Sequence, residues 1–77
     1  MTANLFTEND LDQLRQALAA GREIFLALSL RGLTVTASTC KGSPAWGCDM
    51  LIRLERSRGP VYSTQYFRSV EEMMRYI

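Results

Sequence analysis

The spacing of apolar residues changes period twice along the chain, dividing it into a helix, four strands and a second helix. Leu11, Leu14 and Leu18 recur at helical spacing within residues 8–20. Thr7 stands where an N-cap hydroxyl meets the backbone N–H of Asp10, and Phe6 and Leu11 are placed to close a hydrophobic staple. Glu8, Asp10 and Asp12 suit the positive end of a helix dipole, and Gly21 supplies the stop. From Glu23 the period becomes two, with Ile24, Leu26, Leu28 and Leu30 on one face and Phe25, Ala27 and Ser29 on the other. Arg31-Gly32 is a two-residue break of hairpin type. Leu33, Val35 and Ala37 then alternate with Thr34, Thr36 and Ser38, which gives a second strand with a wet face.

Lys41 to Gly47 reads Lys-Gly-Ser-Pro-Ala-Trp-Gly and is a loop, because two glycines and a proline leave no regular period. The third strand is expected to follow at once, with Cys48, Met50, Ile52 and Leu54 alternating against Asp49, Leu51, Arg53 and Glu55. Ser57 to Pro60 turns the chain into a fourth strand over Val61 to Phe67. Ser69 and Glu72 have the spacing of a capping box, and Val70, Met73, Met74 and Ile77 mark one face of a closing helix. That helix is shorter than the roughly 12–15 residues an isolated helix needs in water, so docking must hold it. The expected fold is a single α+β domain spanning residues 1–77: a four-stranded antiparallel meander with an N-terminal and a C-terminal helix packed on one face. Two helices cover about one side of four strands, so the other side is expected to stay open.

A hydrophobic share of 47%, broken by polar residues at regular intervals, fits a packed domain and not a disordered one. No run reaches the roughly 18 apolar residues of a membrane span. Met1 to Phe6 hold no basic cluster followed by an apolar region, so no secretory signal is expected and the cytoplasm is the expected compartment. Net charge is +1, with Lys41, Arg53, Arg56, Arg58, Arg68 and Arg75 making the second half mildly basic. Nucleic-acid-binding domains usually carry a larger cationic excess, since their affinity comes from counterion release at many phosphates.

The chain has no histidine, which removes the commonest general base and the commonest metal ligand. Asp10, Asp12, Glu71 and Glu72 fall in helix first turns, where capping and the dipole account for them. Cys40 and Cys48 flank the loop, but the alternation sets them on opposite faces, and zinc would need two further ligands. The five glycines mark stops and turns and form no phosphate-cradling loop. No enzyme activity, metal or cofactor is expected.

What remains is surface. Trp46, the lone tryptophan, lies in the loop, where it either anchors a partner or folds back to plug the end of the core. Strand four has two phases: one sets Tyr62 and Tyr66 on the open face beside Phe25, Leu51 and Arg53, the other turns both tyrosines toward the helices and leaves Ser63 and Gln65 outside. Lys41, Arg53, Arg56, Arg58 and Arg68 are either solvated surface or the charged part of a binding site that meets an acidic protein partner or nucleic-acid phosphate. The candidate partner-binding set is therefore Trp46, Lys41, Arg53, Arg56, Arg58, Tyr62 and Tyr66.

The strand-then-capped-helix segment Tyr62-Ser-Thr-Gln-Tyr-Phe-Arg-Ser-Val-Glu-Glu-Met-Met-Arg-Tyr-Ile77 resembles small accessory proteins of phages and mobile elements, among them the small anti-CRISPR proteins. The resemblance implies an inhibitor that works stoichiometrically by occupying a surface of a large effector complex, in some cases one bound to nucleic acid, and it carries over no functional position. A looser similarity is to four-strands-then-helix single-stranded-DNA-binding coactivators, whose sheets are more basic. The expected function is a non-enzymatic protein-binding module, with single-stranded nucleic-acid binding on the open face as the alternative and a homodimer through that face compatible with both.

Overall fold

The computed structural model describes residues 6–76, so the readings at Met1 to Leu5 and at Ile77 lie outside the described residues. Its order is α1 (Glu8–Ala20), β1 (Phe25–Leu30), β2 (Leu33–Lys41), β3 (Met50–Arg58), β4 (Val61–Phe67) and α2 (Val70–Tyr76). The strands form one antiparallel sheet in the order β1-β2-β3-β4. This is the expected α+β meander. Among the described residues no helix is long and apolar enough to cross a membrane.

Each helix start follows from local chemistry. The Thr7 hydroxyl accepts the Asp10 N–H at 3.1 Å, and the Asp10 carboxylate accepts the Thr7 N–H at 3.0 Å. Phe6 and Leu11 are both buried, as a staple requires. Gly21 ends α1 at φ 69°, in the left-handed region where a side chain would be strained. At α2 the Ser69 hydroxyl accepts the Glu72 N–H, while the Glu72 carboxylate reaches one residue further back to accept the N–H of Arg68.

Register explains the packing. Across the helix side of the sheet, Leu26, Ala37, Leu54 and Gln65 make one row, and Leu28, Val35, Arg56 and Ser63 the next. Both helices lie on this side, α1 across β2 and β3 and α2 against β4, and the two touch each other. The core joins Leu14, Val35, Ile52, Leu54, Phe67, Val70 and Met73 with the Phe6–Leu11 staple. Arg15 bridges the helices through Glu71 at 3.0 Å, while pairing with Asp12 on its own helix.

Three boundaries differ from the sequence reading. Lys41 is not the first loop residue but the last of β2, because it still pairs with Met50. β3 begins at Met50 and leaves Cys48 in the loop, because the chain leaves the ladder where the Gly42 N–H donates to the Asp49 carbonyl at 2.7 Å. A Cβ at Gly42 would collide with the Cys48 carbonyl oxygen, so this neck of the loop requires glycine. The turn after β3 is also tighter than residues 57–60: Ser57 and Arg58 still pair with Thr34 and Leu33, and Gly59-Pro60 alone reverses the chain.

Thr39 is the buried polar side chain among the described residues, and its hydroxyl ties the α1–β1 link to the sheet. It accepts the Ile24 N–H at 2.8 Å and donates to the Arg22 carbonyl at 2.7 Å. Thr39→Val keeps the shape but orphans both backbone groups, so urea unfolding is expected to show a loss of about 1–3 kcal/mol. The same change at Thr36, on the opposite face, is expected to stay within about 0.5 kcal/mol.

Candidate functional site

The open face is the side of the sheet that neither helix covers, and the ladder sets its composition row by row. Phe25, Ser38, Arg53 and Tyr66 form one row, Ala27, Thr36, Glu55 and Thr64 the next, and Ser29, Thr34, Ser57 and Tyr62 the last. Strand β4 therefore takes the phase that turns Tyr62 and Tyr66 outward. Phe25 is 68% exposed, Tyr62 64% and Tyr66 39%.

Leu51 shares this face yet is only 3% exposed. The loop after β2 accounts for it. Hydrogen bonds from Trp46 N–H to Ser43 and from Gly47 N–H to Pro44 curl the loop tightly. The indole then lies 6.1 Å from the Tyr66 ring, with the Arg68 guanidinium 5.5 Å above it. Arg68 also donates to the Trp46 carbonyl at 3.0 Å. Tyr66 stands opposite Arg53, two residues along β3 from Leu51, so the ring stacked on it places Trp46 at the Leu51 end of the open face. It folds back onto the outer side of the sheet, not into the core between sheet and helices, and remains half-buried.

At the centre of the face, the Glu55 carboxylate accepts from Arg53 at 2.6 and 3.0 Å and from the Tyr62 hydroxyl. The Tyr62 hydrogen bond, followed by the one from Arg53, holds the Glu55 carboxyl below the usual carboxylate range. The same partnership, led by the Glu55 hydrogen bond, raises the Arg53 guanidinium above its ordinary value. Arg53 is thus a charged guanidinium paired with Glu55 on its own strand face. Beside it an open groove of about 310 Å³ runs between Glu23, Phe25, Ser38, Cys40, Arg53 and Glu55. Burial pushes the Cys40 thiol above its ordinary value. Cys40 and Cys48 are both free.

The structure divides the candidate set. Trp46, Arg53, Tyr62 and Tyr66 come together on the open face. Arg56 and Arg58 do not, because β3 residues of even number face the helices: the Arg56 guanidinium lies 5.2 Å over the Tyr76 ring and donates to its hydroxyl at 2.9 Å. Lys41 closes β2 opposite Met50, also on the helix side. Glu55, Arg68 and Phe25 were missing from the set. Glu55 was legible as an opposite charge two residues from Arg53 on one strand face. Arg68 lies beyond the end of β4, and no sequence period indicates its stack on Trp46. Among the described residues no cluster of three or more His, Cys, Asp or Glu side chains could hold a metal ion.

Comparison with family models, curated proteins and solved structures finds no match.

The Glu55 carboxyl, depressed in the folded state, stabilises the fold above the unfolded value of about 4.3. That contribution is lost as pH falls through the folded value. The urea midpoint is therefore expected to fall below about pH 5 in the wild type. Glu55→Gln is expected to show a flatter profile, the remaining slope coming from Glu71, which hydrogen bonding from Arg15 also lowers.

Proposed function

We propose that this chain is a non-enzymatic binding module that engages a cytoplasmic protein surface through its open sheet face. Tyr66, Tyr62, Phe25 and the edge of Trp46 supply the contact area, and the Arg53–Glu55 pair supplies orientation. The observation that carries the reading is the composition of that face: three exposed aromatic rings around one internally paired charge. Aromatic side chains offer large, rigid area at low entropic cost and dominate the energetics of protein interfaces. Lys41, Arg56 and Arg58 are left out, since they belong to the other side of the sheet.

The same composition weighs against single-stranded nucleic acid as the ligand. Stacking alone is sequence-tolerant, but affinity for a strand needs unpaired cations tracking the phosphates. Here Arg53 is bonded to Glu55 and Arg68 lies on Trp46. For the partner we infer a large effector assembly occupied stoichiometrically, in keeping with the resemblance of residues 62–77 to small anti-CRISPR proteins.

The test is affinity capture from host lysate with and without nuclease, run in parallel with the wild type, Phe25→Ala/Tyr66→Ala and Arg56→Ala/Arg58→Ala. A defined protein complex is expected to survive nuclease, to be held about tenfold or more weakly by the aromatic double variant and to be unaffected by the arginine variant. Equal capture by the aromatic variant would remove the proposed surface. Nucleic acid alone, released by digestion and by modest salt, would make strand binding the function.

A further inference from the structure

We propose that two copies of this chain join edge to edge through β1 into a continuous eight-stranded sheet, with Ala27 on the two-fold axis.

β1 is an edge strand, and among the described residues nothing pairs with its outer side. Its sequence, Phe-Leu-Ala-Leu-Ser-Leu, has no charge and no proline, the devices that normally blunt such an edge. The other edge, β4, is preceded by Pro60 and carries Ser63, Thr64 and Gln65.

The hydrogen-bond phase of β1 is fixed. Thr39 donates its N–H to the Ile24 carbonyl at 3.1 Å, and Leu30 closes a two-residue hairpin opposite Leu33. Arg31 and Gly32, at φ 50° and 82°, are both left-handed, as a type I′ hairpin turn requires. Alternation then turns the backbone groups of residues 24, 26, 28 and 30 toward β2 and those of Phe25, Ala27 and Ser29 outward.

An antiparallel two-fold pairing keeps like faces on one side, so one residue must sit opposite itself. With Ala27 there, Phe25 pairs with Ser29 of the second copy, and all three outward residues exchange both bonds, about six in total. The 68% exposed Phe25 meets a small neighbour. On the helix side, Leu26 stands opposite Leu28 of the second copy, joining four leucines that are each only half-buried in one chain.

Charge agrees with the same register. Glu23 immediately precedes β1 and Arg31 immediately follows it, so this pairing brings the Glu23 end of one copy to the Arg31 end of the other, an opposite-charge approach at each end of the seam. Neither residue is in an ion pair among the described residues. Shifting the axis one residue either way places both charges opposite uncharged positions.

The test is sedimentation of the isolated full chain over a concentration series, with no partner present. Twice the chain mass is expected for the wild type, and the single-chain mass for Ala27→Arg, which opposes two like charges on the axis while altering only an exposed side chain. In a Cys40→Ser/Cys48→Ser background, Ala27→Cys is expected to cross-link under mild oxidant about tenfold more than Phe25→Cys, since facing Cα atoms in a hydrogen-bonded pair lie about 5.5 Å apart. A single-chain mass up to about 1 mM, a dimer indifferent to Ala27→Arg, or equal cross-linking at both positions would overturn the proposal.

Discussion

Burial of Leu14 and Met73 in one core with Ile52 and Leu54 holds both helices to the same side of the sheet, and the remaining architecture answers to that constraint. All four side chains are excluded from water, and truncating one such leucine or methionine to alanine typically costs about 2–5 kcal/mol. Because strand side chains alternate strictly, choosing which side of β3 meets the helices also chooses which side is left out. Ile52 and Leu54 inward means Arg53 and Glu55 outward, and the ladders pass that choice to every neighbouring strand. Phe25, Tyr62 and Tyr66 reach the open face by this rule.

The elements were legible where one period ran long enough to be unambiguous. The α1 limits follow from the Thr7 cap and Gly21, and β1 and β2 from unbroken alternation around Arg31-Gly32. Strand β4 was not decidable from its own residues, because Val61-Tyr-Ser-Thr-Gln-Tyr-Phe67 places bulk on both faces; pairing of Phe67 with Ile52 settles it. Extending the alternation through Cys48 failed for a different reason. Periodicity does not register a loop closed by backbone bonds, and Gly42 permits that closure by lacking a side chain.

The candidate site was legible in part. Aromatic residues near one face could be named, but grouping Lys41, Arg56 and Arg58 with them in one binding set joined residues from the two sides of the sheet. Strand parity separates Arg56 from Arg53 by the thickness of the sheet. Trp46 resisted assignment because its position depends on Tyr66 and Arg68, both some twenty residues away along the chain. The result is a face with more aromatic area and less free charge than the composition suggests. Pairing through β1 would extend that face, setting two aromatic patches on the same side of one sheet.

The central claim is that the side of the sheet without helices is the working surface. Hydroxyl-radical footprinting of the chain alone and bound to its captured partner tests it most directly, because both sides carry exposed apolar reporters. Protection of Phe25, Tyr62 and Tyr66 with unchanged reactivity at Val61 and Tyr76 is the expected result. Protection of Val61 and Tyr76 with the open-face rings still reactive would contradict it.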